Sequence, residues 1–221
     1  MNEYEVIKKI FYPLSFKKEF SLDLDDDAGL LPNKKQIVVG TDSIVEGDHF
    51  QKNEKNSLLI AKKLLRVNLS DLASMGANPF GYTLNLSLPK KLNKKKLLKW
   101  IKLFAKGLRE DQSKYKIKLL GGDTVITNGP LILSITLFGY KKKKIVKRSG
   151  ANLCDDIYVT GNIGDSGIGY KILLKKLNLN RNLNNYYINQ HKLPSPPIEF
   201  GKKLVEFANS ATDISDGLLA D

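Results

Sequence analysis

A chain of 221 residues is long enough for one large domain or two small ones, and 42% hydrophobic with 27% charged residues excludes the disordered and fibrous classes. The net charge of +13 comes almost entirely from lysine, with only four arginines; runs such as "KKLNKKK" and "KKKK" read as solvated connections, and without an aromatic-plus-basic motif nucleic acid is not expected as a partner. The single Cys154 excludes an internal disulfide, and no segment reaches the roughly 20 apolar residues that span a bilayer, so a cytoplasmic protein without membrane attachment is expected.

In chain order, residues 3–12 predict a short amphipathic helix stopped by Pro13. "LDLDDDAGLL" (22–31) follows, with Leu22 and Leu24 suggesting a strand that leads into three adjacent aspartates. "KQIVVGTDSI" predicts a β-branched strand ending near Thr41. Apolar residues at 58, 59, 61, 64, 65, 69, 72 and 75 have helical spacing, closed by Gly76 and Pro79. "PFGYTLNLSLP" alternates, with Tyr82, Leu84, Leu86 and Leu88 on one face, and residues 93–109 predict a second helix. "IKLLGG" reads as a strand entering a glycine turn and "GPLILSITLFGY" as another strand; strands and helices alternating with hairpin-like returns predict an α+β fold.

The lysine run at 141–144 marks a seam, giving domains 1–140 and 141–221. Beyond it, "DDIYVTG" predicts a strand, "GNIGDSGIGYKILLKKL" a glycine-rich turn opening a helix, "NLNRNLNNYYINQ" a polar stretch, "LPSPP" a rigid link, and 197–209 a helix. The chain stops just after "ATDISDG", soon after an aspartate cluster, and an incomplete second domain is expected.

Aspartates recur at predicted turns and strand ends: Asp25–Asp27, Asp42, Asp71, Asp123, Asp165, Asp213 and Asp216. Singly these are ordinary cap and turn residues. Together they supply the hard carboxylate oxygens that Mg²⁺ takes from several segments when it bridges phosphates. No Walker A loop occurs, and Gly161, Gly164, Gly167 and Gly169 do not give the dinucleotide spacing. His49 and His191 with one distant cysteine are too few for a zinc site.

The stretches "DDAGLL" (26–31), "TDSIVEGDHF" (41–50), "VNLSDLASMGANP" (67–79), "GGDT" (121–124), "RSGA" (148–151), "DIYVTGNIGDSGIG" (156–169), "HKLPSP" (191–196) and "DISDGL" (213–218) together resemble the thiamine-monophosphate kinases. That family sits in the ATP-binding superfamily of aminoimidazole ribonucleotide and selenophosphate synthetases. The resemblance implies a two-domain α+β fold whose N-terminal mixed sheet dimerises, and transfer of the γ-phosphoryl of ATP to thiamine monophosphate, with Mg²⁺ as cofactor. It implies Asp26, Asp42, Asp71, Asp123 and Asp213 as metal ligands, with Asp27 and Asp216 close by. Thr41, Gly121, Gly122, Asp123, Arg148 and Ser215 would meet the nucleotide or its phosphates, and His49 the acceptor. No side chain is implied as a catalytic base, because the accepting phosphate oxygen is already anionic. Another acceptor of the same superfamily, or a non-catalytic nucleotide-binding remnant, are the alternatives.

Three departures stand out. Asp25 takes the place of a family glycine, Cys154 stands where Gly-Asp commonly precedes the "IYVTG" strand, and Pro197 replaces an arginine after "PSP". Family chains run roughly 300 residues, so a chain of this length is expected to be inactive or weakly active alone, and Asp25→Gly to be tolerated where loss of Asp26 is not.

Overall fold

The computed structural model describes residues 3–15, 22–24, 36–52, 54–90, 93–141 and 143–221. Asp25, Asp26 and Asp27, with Leu30 and Leu31, lie outside the described residues. The N-terminal helix is real but irregular. A turn of α-helix, α1 (Glu3–Val6), widens into a π-helical turn at Ile7–Phe11 and tightens to a 3₁₀ turn at Tyr12–Leu14 that includes Pro13. The expected strand at Leu22–Leu24 is instead a single 3₁₀ turn, with Asp23 and Leu24 at φ 58° and 56°. Tyr12 donates to Asp23 Oδ1 (3.0 Å) and Lys8 to the Asp23 carbonyl (2.8 Å), so Asp23 fastens this turn to the N-terminal helix.

Among the described residues four strands form one mixed sheet: β1 (Ile37–Val45), β2 (Asn78–Pro89), β3 (Lys118–Thr127) and β4 (Ile132–Tyr140), in the order β1-β4-β2-β3. β4 is antiparallel to both β1 and β2, whereas β2 and β3 are parallel. A parallel pair needs a crossover, and the long helix α3 (Lys94–Tyr115) supplies it. The Asn93 side chain caps its N-terminus by accepting from Lys95 N, and Lys116 ends it in the left-handed region at φ 56°. β3 and β4, though consecutive, do not pair as a hairpin. The link leaves β3, passes the end of β2 and delivers β4 to the middle of the sheet.

One glycine expectation is also corrected. Gly121 and Gly122 do not turn the chain; β3 runs straight through them. A Cβ on Gly122 would lie 1.9 Å from the Leu84 carbonyl oxygen, beside the irregularity in pairing at Tyr82/Thr83. Glycine is needed there so that two strands can close together.

The sheet is apolar on one face. Tyr82, Leu84, Leu86 and Leu88 of β2 and Leu133, Ile135 and Leu137 of β4 are buried against α2 (Ser57–Ser74) and α3 in a single cluster. Alternation sends Thr41, Ser43, Thr83, Asn85, Asp123, Ser134 and Thr136 to the other face. α2 carries Leu64, Leu65, Leu69 and Leu72 inward, as its spacing predicts.

Residues 143–221 contribute α4 (Asp165–Leu173), α5 (Arg181–Lys192) and α6 (Ile198–Phe207). α5 arises from the polar stretch, capped by Asn180, whose side chain accepts from Leu183 N. α4 follows the glycine turn as expected, with Gly161 and Gly164 at φ 79° and 93°. The strand expected in "DDIYVTG" does not form: Ile157 and Tyr158 are 90% and 86% exposed. β-propensity alone cannot hold a strand, and among the described residues no strand pairs with this one. Cys154 adopts φ 71°, a left-handed conformation that suits glycine better than cysteine.

Candidate functional site

The site is built around the C-terminal half of α2 and the edge strand β1. An edge strand leaves backbone groups unpaired on its outer side. Asn68, fully buried on α2, answers one of them: its Oδ1 accepts from Asp42 N at 2.9 Å, while its Nδ2 donates to the Leu64 carbonyl. Three residues further along α2, the Asp71 side chain lies over Gly40, where a Cβ would sit 3.8 Å from Asp71 Oδ2. Asp42 and Asp71 are thereby brought to the same end of the sheet.

The third carboxylate arrives from the end of the chain. α6 lies on α2 through Gly201, whose Cβ would meet the Ala73 carbonyl oxygen at 2.5 Å. Val146 N donates to the Met75 carbonyl just past α2, and Ala211 N to the Lys147 carbonyl. Ser210 Oγ donates to the carbonyls of Lys147 and Arg148. This small bridge sets Arg148 and Asp213 beside Asp71.

The electrostatics record the crowding. Burial first, then the charges of Asp213 and Asp42, push Asp71 up to about 7; Arg148 works the other way, and a side-chain hydrogen bond with Asp213 favours a shared proton. Asp42 is also raised, by burial and then by Asp213, with His49 opposing. Carboxylates crowded in this way carry the hard oxygen ligands that a divalent cation takes. Among the described residues, no group of three or more His, Cys, Asp or Glu side chains is placed to hold a metal ion by itself.

The other expected site residues divide. Arg148 is at the cluster, and His49 is near enough to act on Asp42. The His49 ring is tied into its own loop, Nδ1 accepting from Val45 N at 3.2 Å. Ser215 and Asp216 lie in a loop whose backbone amides, with that of Gly217, all donate to the Asp221 carboxylate. Thr41 faces the opposite side of the sheet from Asp42, donating to the Ile135 carbonyl and accepting from Thr136. Gly121 and Asp123 are on β3, with two strands between it and β1, and Asp123 points to that same opposite face. Its carboxylate accepts from Thr124 N. Within one chain, then, Asp123 does not join Asp42, Asp71 and Asp213.

Sequence reasoning missed two contributors. Asn68 lies in the "VNLSDL" stretch but holds the Asp42 backbone rather than a ligand. Lys63, one turn further back on α2, donates to the His49 carbonyl at 2.9 Å and meets His191 Nε2 at 3.1 Å. No local motif could have joined residues 128 positions apart.

Comparison with known proteins places this arrangement among relatives. Residues 25–140 match the model for the AIR synthase related protein, N-terminal domain. The whole chain is 40% identical to the thiamine-monophosphate kinase of Buchnera aphidicola subsp. Schizaphis graminum, covering 67% of that protein. It superposes on the thiamine-monophosphate kinase of Stenotrophomonas maltophilia K279a with a TM-score of 0.83 at 35% identity, covering 100% of this chain and 70% of that one. It is similar, with a TM-score of 0.78 at 29% identity over 89% of this chain and 62% of that one, to AaThiL complexed with AMPPCP and TMP. The chain spans about two thirds of the length of the relatives it matches.

Proposed function

The chain belongs to the thiamine-monophosphate kinase family, and from that membership we propose that it serves transfer of the γ-phosphoryl group of ATP to the phosphate of thiamine monophosphate, giving thiamine diphosphate and ADP. The observation that carries this reading is the convergence of Asp42, Asp71 and Asp213 beside Arg148. Two anionic phosphates have to meet, so the protein's task is neutralisation and alignment. Mg²⁺ bound by the three carboxylates would supply positive charge to the phosphate oxygens. Arg148 adds a fixed cation to the same end of the site, and Asn68 keeps the Asp42 backbone from shifting as charge builds. Ser215 offers its hydroxyl to the transferring phosphates from the loop that follows Asp213. His49 faces the acceptor. Asp26, Asp27 and Asp216 add carboxylates around the same ions.

Asp123 and Thr41 enter this reading through a second copy. Both lie on the open face of the sheet, Asp123 on one outer strand and Thr41 on the other, where Val39 and Val125 are also exposed. A homodimer that pairs these faces would bring Asp123, with Gly121 and Gly122, to the partner's nucleotide. The end of the family match at residue 140 supports 1–140 as the nucleotide-binding and dimerising unit and 141–221 as the first part of a second.

The test is to incubate the purified protein with ATP, Mg²⁺ and thiamine monophosphate and to follow thiamine diphosphate. Formation that depends on Mg²⁺ and is lost in Asp71→Asn is expected. Turnover of ATP indifferent to thiamine monophosphate would overturn the acceptor assignment, and Mg²⁺-dependent ATP binding without transfer would leave a nucleotide-binding protein.

A further inference from the structure

Beside His49 lies a small, partly open cavity of about 60 Å³ between the 46–52 loop, α2, α4 and α5. Its polar wall is a chain of contacts that the proposed chemistry does not use. Lys63 Nζ donates to the His49 carbonyl (2.9 Å) and touches His191 Nε2 (3.1 Å), and His191 Nδ1 touches Ser166 Oγ (3.2 Å). The His191 ring stacks on Tyr170, with centroids 5.3 Å apart. The neighbouring Lys192 is paired with Glu54, which leaves the Lys63 ammonium facing carbonyl and imidazole rather than carboxylate.

The direction of each hydrogen bond follows from donor chemistry. An ammonium can only donate, so His191 Nε2 must accept; Nδ1 then carries the ring proton and donates to Ser166 Oγ. The order is locked against protonation. Burial and then the Lys63 charge hold His191 down to about 4, and burial with Lys192 lowers Lys63 to about 8. Over the pH range between those values the chain of contacts has one arrangement. It is also a mechanical link: the 46–52 loop is gripped from α2 by Lys63 and from α4 by Gln51 Nε2, which donates to the Leu173 carbonyl at 3.0 Å.

We propose that Lys63 and His191 are positioning residues for the acceptor side of the site: together they hold the His49 loop in place and couple it to the glycine turn that opens α4 through Ser166. The proposal rests on the reading that His49 faces the acceptor. Neither residue touches the carboxylate cluster, so ATP and Mg²⁺ binding should be insensitive to them, whereas thiamine monophosphate binding should not.

The experiment compares wild type with Lys63→Met, His191→Leu and His191→Gln, the last of which keeps one acceptor for Lys63 and one donor for Ser166. Calorimetry with thiamine monophosphate should show a loss of about tenfold or more for K63M and H191L, the scale of one charge-assisted hydrogen bond. ATP·Mg²⁺ affinity should stay within about twofold, and H191Q should stay close to wild type. Ligand-free hydrogen exchange supplies the second measurement: amides of 46–50 should exchange about tenfold faster in K63M and H191L. Unchanged exchange there, equal loss of both ligands, or H191Q behaving like H191L would overturn the proposal. Faster loop exchange in a protein whose wild type binds no thiamine monophosphate would sustain the Lys63–His191 linkage and sink the acceptor assignment of His49 instead.

Discussion

Removing Asp111 should damage this fold more than removing any surface charge. Arg66 on α2 forks onto Asp111 on α3, with Nε to Oδ2 at 2.6 Å and a terminal nitrogen to Oδ1 at 2.9 Å, and its other terminal nitrogen donates to the Pro194 carbonyl. The two side chains are only 10% and 2% exposed, so neither charge can recover water if the other is lost. Asp111→Ala leaves a buried guanidinium with one carbonyl, which costs about 3–5 kcal/mol. For a chain of this size that is a fall in Tm of about 6–20 °C. Arg66→Met should cost less, because Lys62 lies 4.0 Å from the Asp111 carboxylate and remains as a partial counter-charge. The double variant R66M/D111A removes both charges and should recover much of the loss, giving a coupling of about 2–3 kcal/mol. Urea unfolding followed by circular dichroism on all four proteins measures this. A D111A protein within about 1 kcal/mol of wild type, or single losses that simply add, would refute the idea that the pair matters through desolvation.

Two further outcomes are expected. In protein stripped of metal with EDTA, Asp71 keeps a proton up to about 7 that the unfolded chain sheds near its ordinary value of 3.8. Stability should therefore fall as pH rises between those values and level off above them; Asp71→Asn should flatten the urea midpoint against pH, and added Mg²⁺ should flatten it in wild type. An identical slope in D71N would remove Asp71 as its source. Gly122→Ala drives a methyl to within 1.9 Å of the Leu84 carbonyl and should cost about 3 kcal/mol, whereas the Cβ of Gly121→Ala meets nothing within 4 Å and should be neutral in thermal unfolding. Comparable losses from both would mean that close strand approach is not what this glycine pair provides.

The contrast between those two glycines shows how far sequence could reach. "IKLLGG" is the same string whether the glycines bend the chain or let β3 approach β2, and only the Leu84 carbonyl, 38 residues earlier, distinguishes them. The same holds for "IYVTG", whose residues favour a strand locally while its formation depends on a partner. Elements whose packing is written in their own periodicity were legible. The Leu64–Leu72 stripe of α2 and the Tyr82–Leu88 alternation of β2 are both buried as expected, and α3 differs only by running on to Tyr115. Family motifs named candidate site residues, but not how the fold groups them. Asp42, Asp71 and Asp213 meet, while Asp123 takes the opposite face because its register opposite Asn85 fixes the direction of its side chain. α5 escaped because its residues are mostly polar and it buries no side chain fully.

The placement of β4 in the centre of the sheet imposes an order of events on folding. Among the described residues β1 pairs with no strand except β4, from Ile37↔Tyr140 to Val45↔Ile132, so the segment bearing Asp42 waits for this partner until nearly a hundred further residues have been synthesised. β2 and β3 can associate earlier through α3, but they leave β2's other edge open for the same late strand. During vectorial synthesis the end of the sheet that bears Asp42 is thus completed last, and the wait is set by loop-closure entropy rather than by any local propensity. A substitution that slows insertion of Leu133, Ile135 or Leu137 would lower the yield of active protein without altering the site in molecules that do mature.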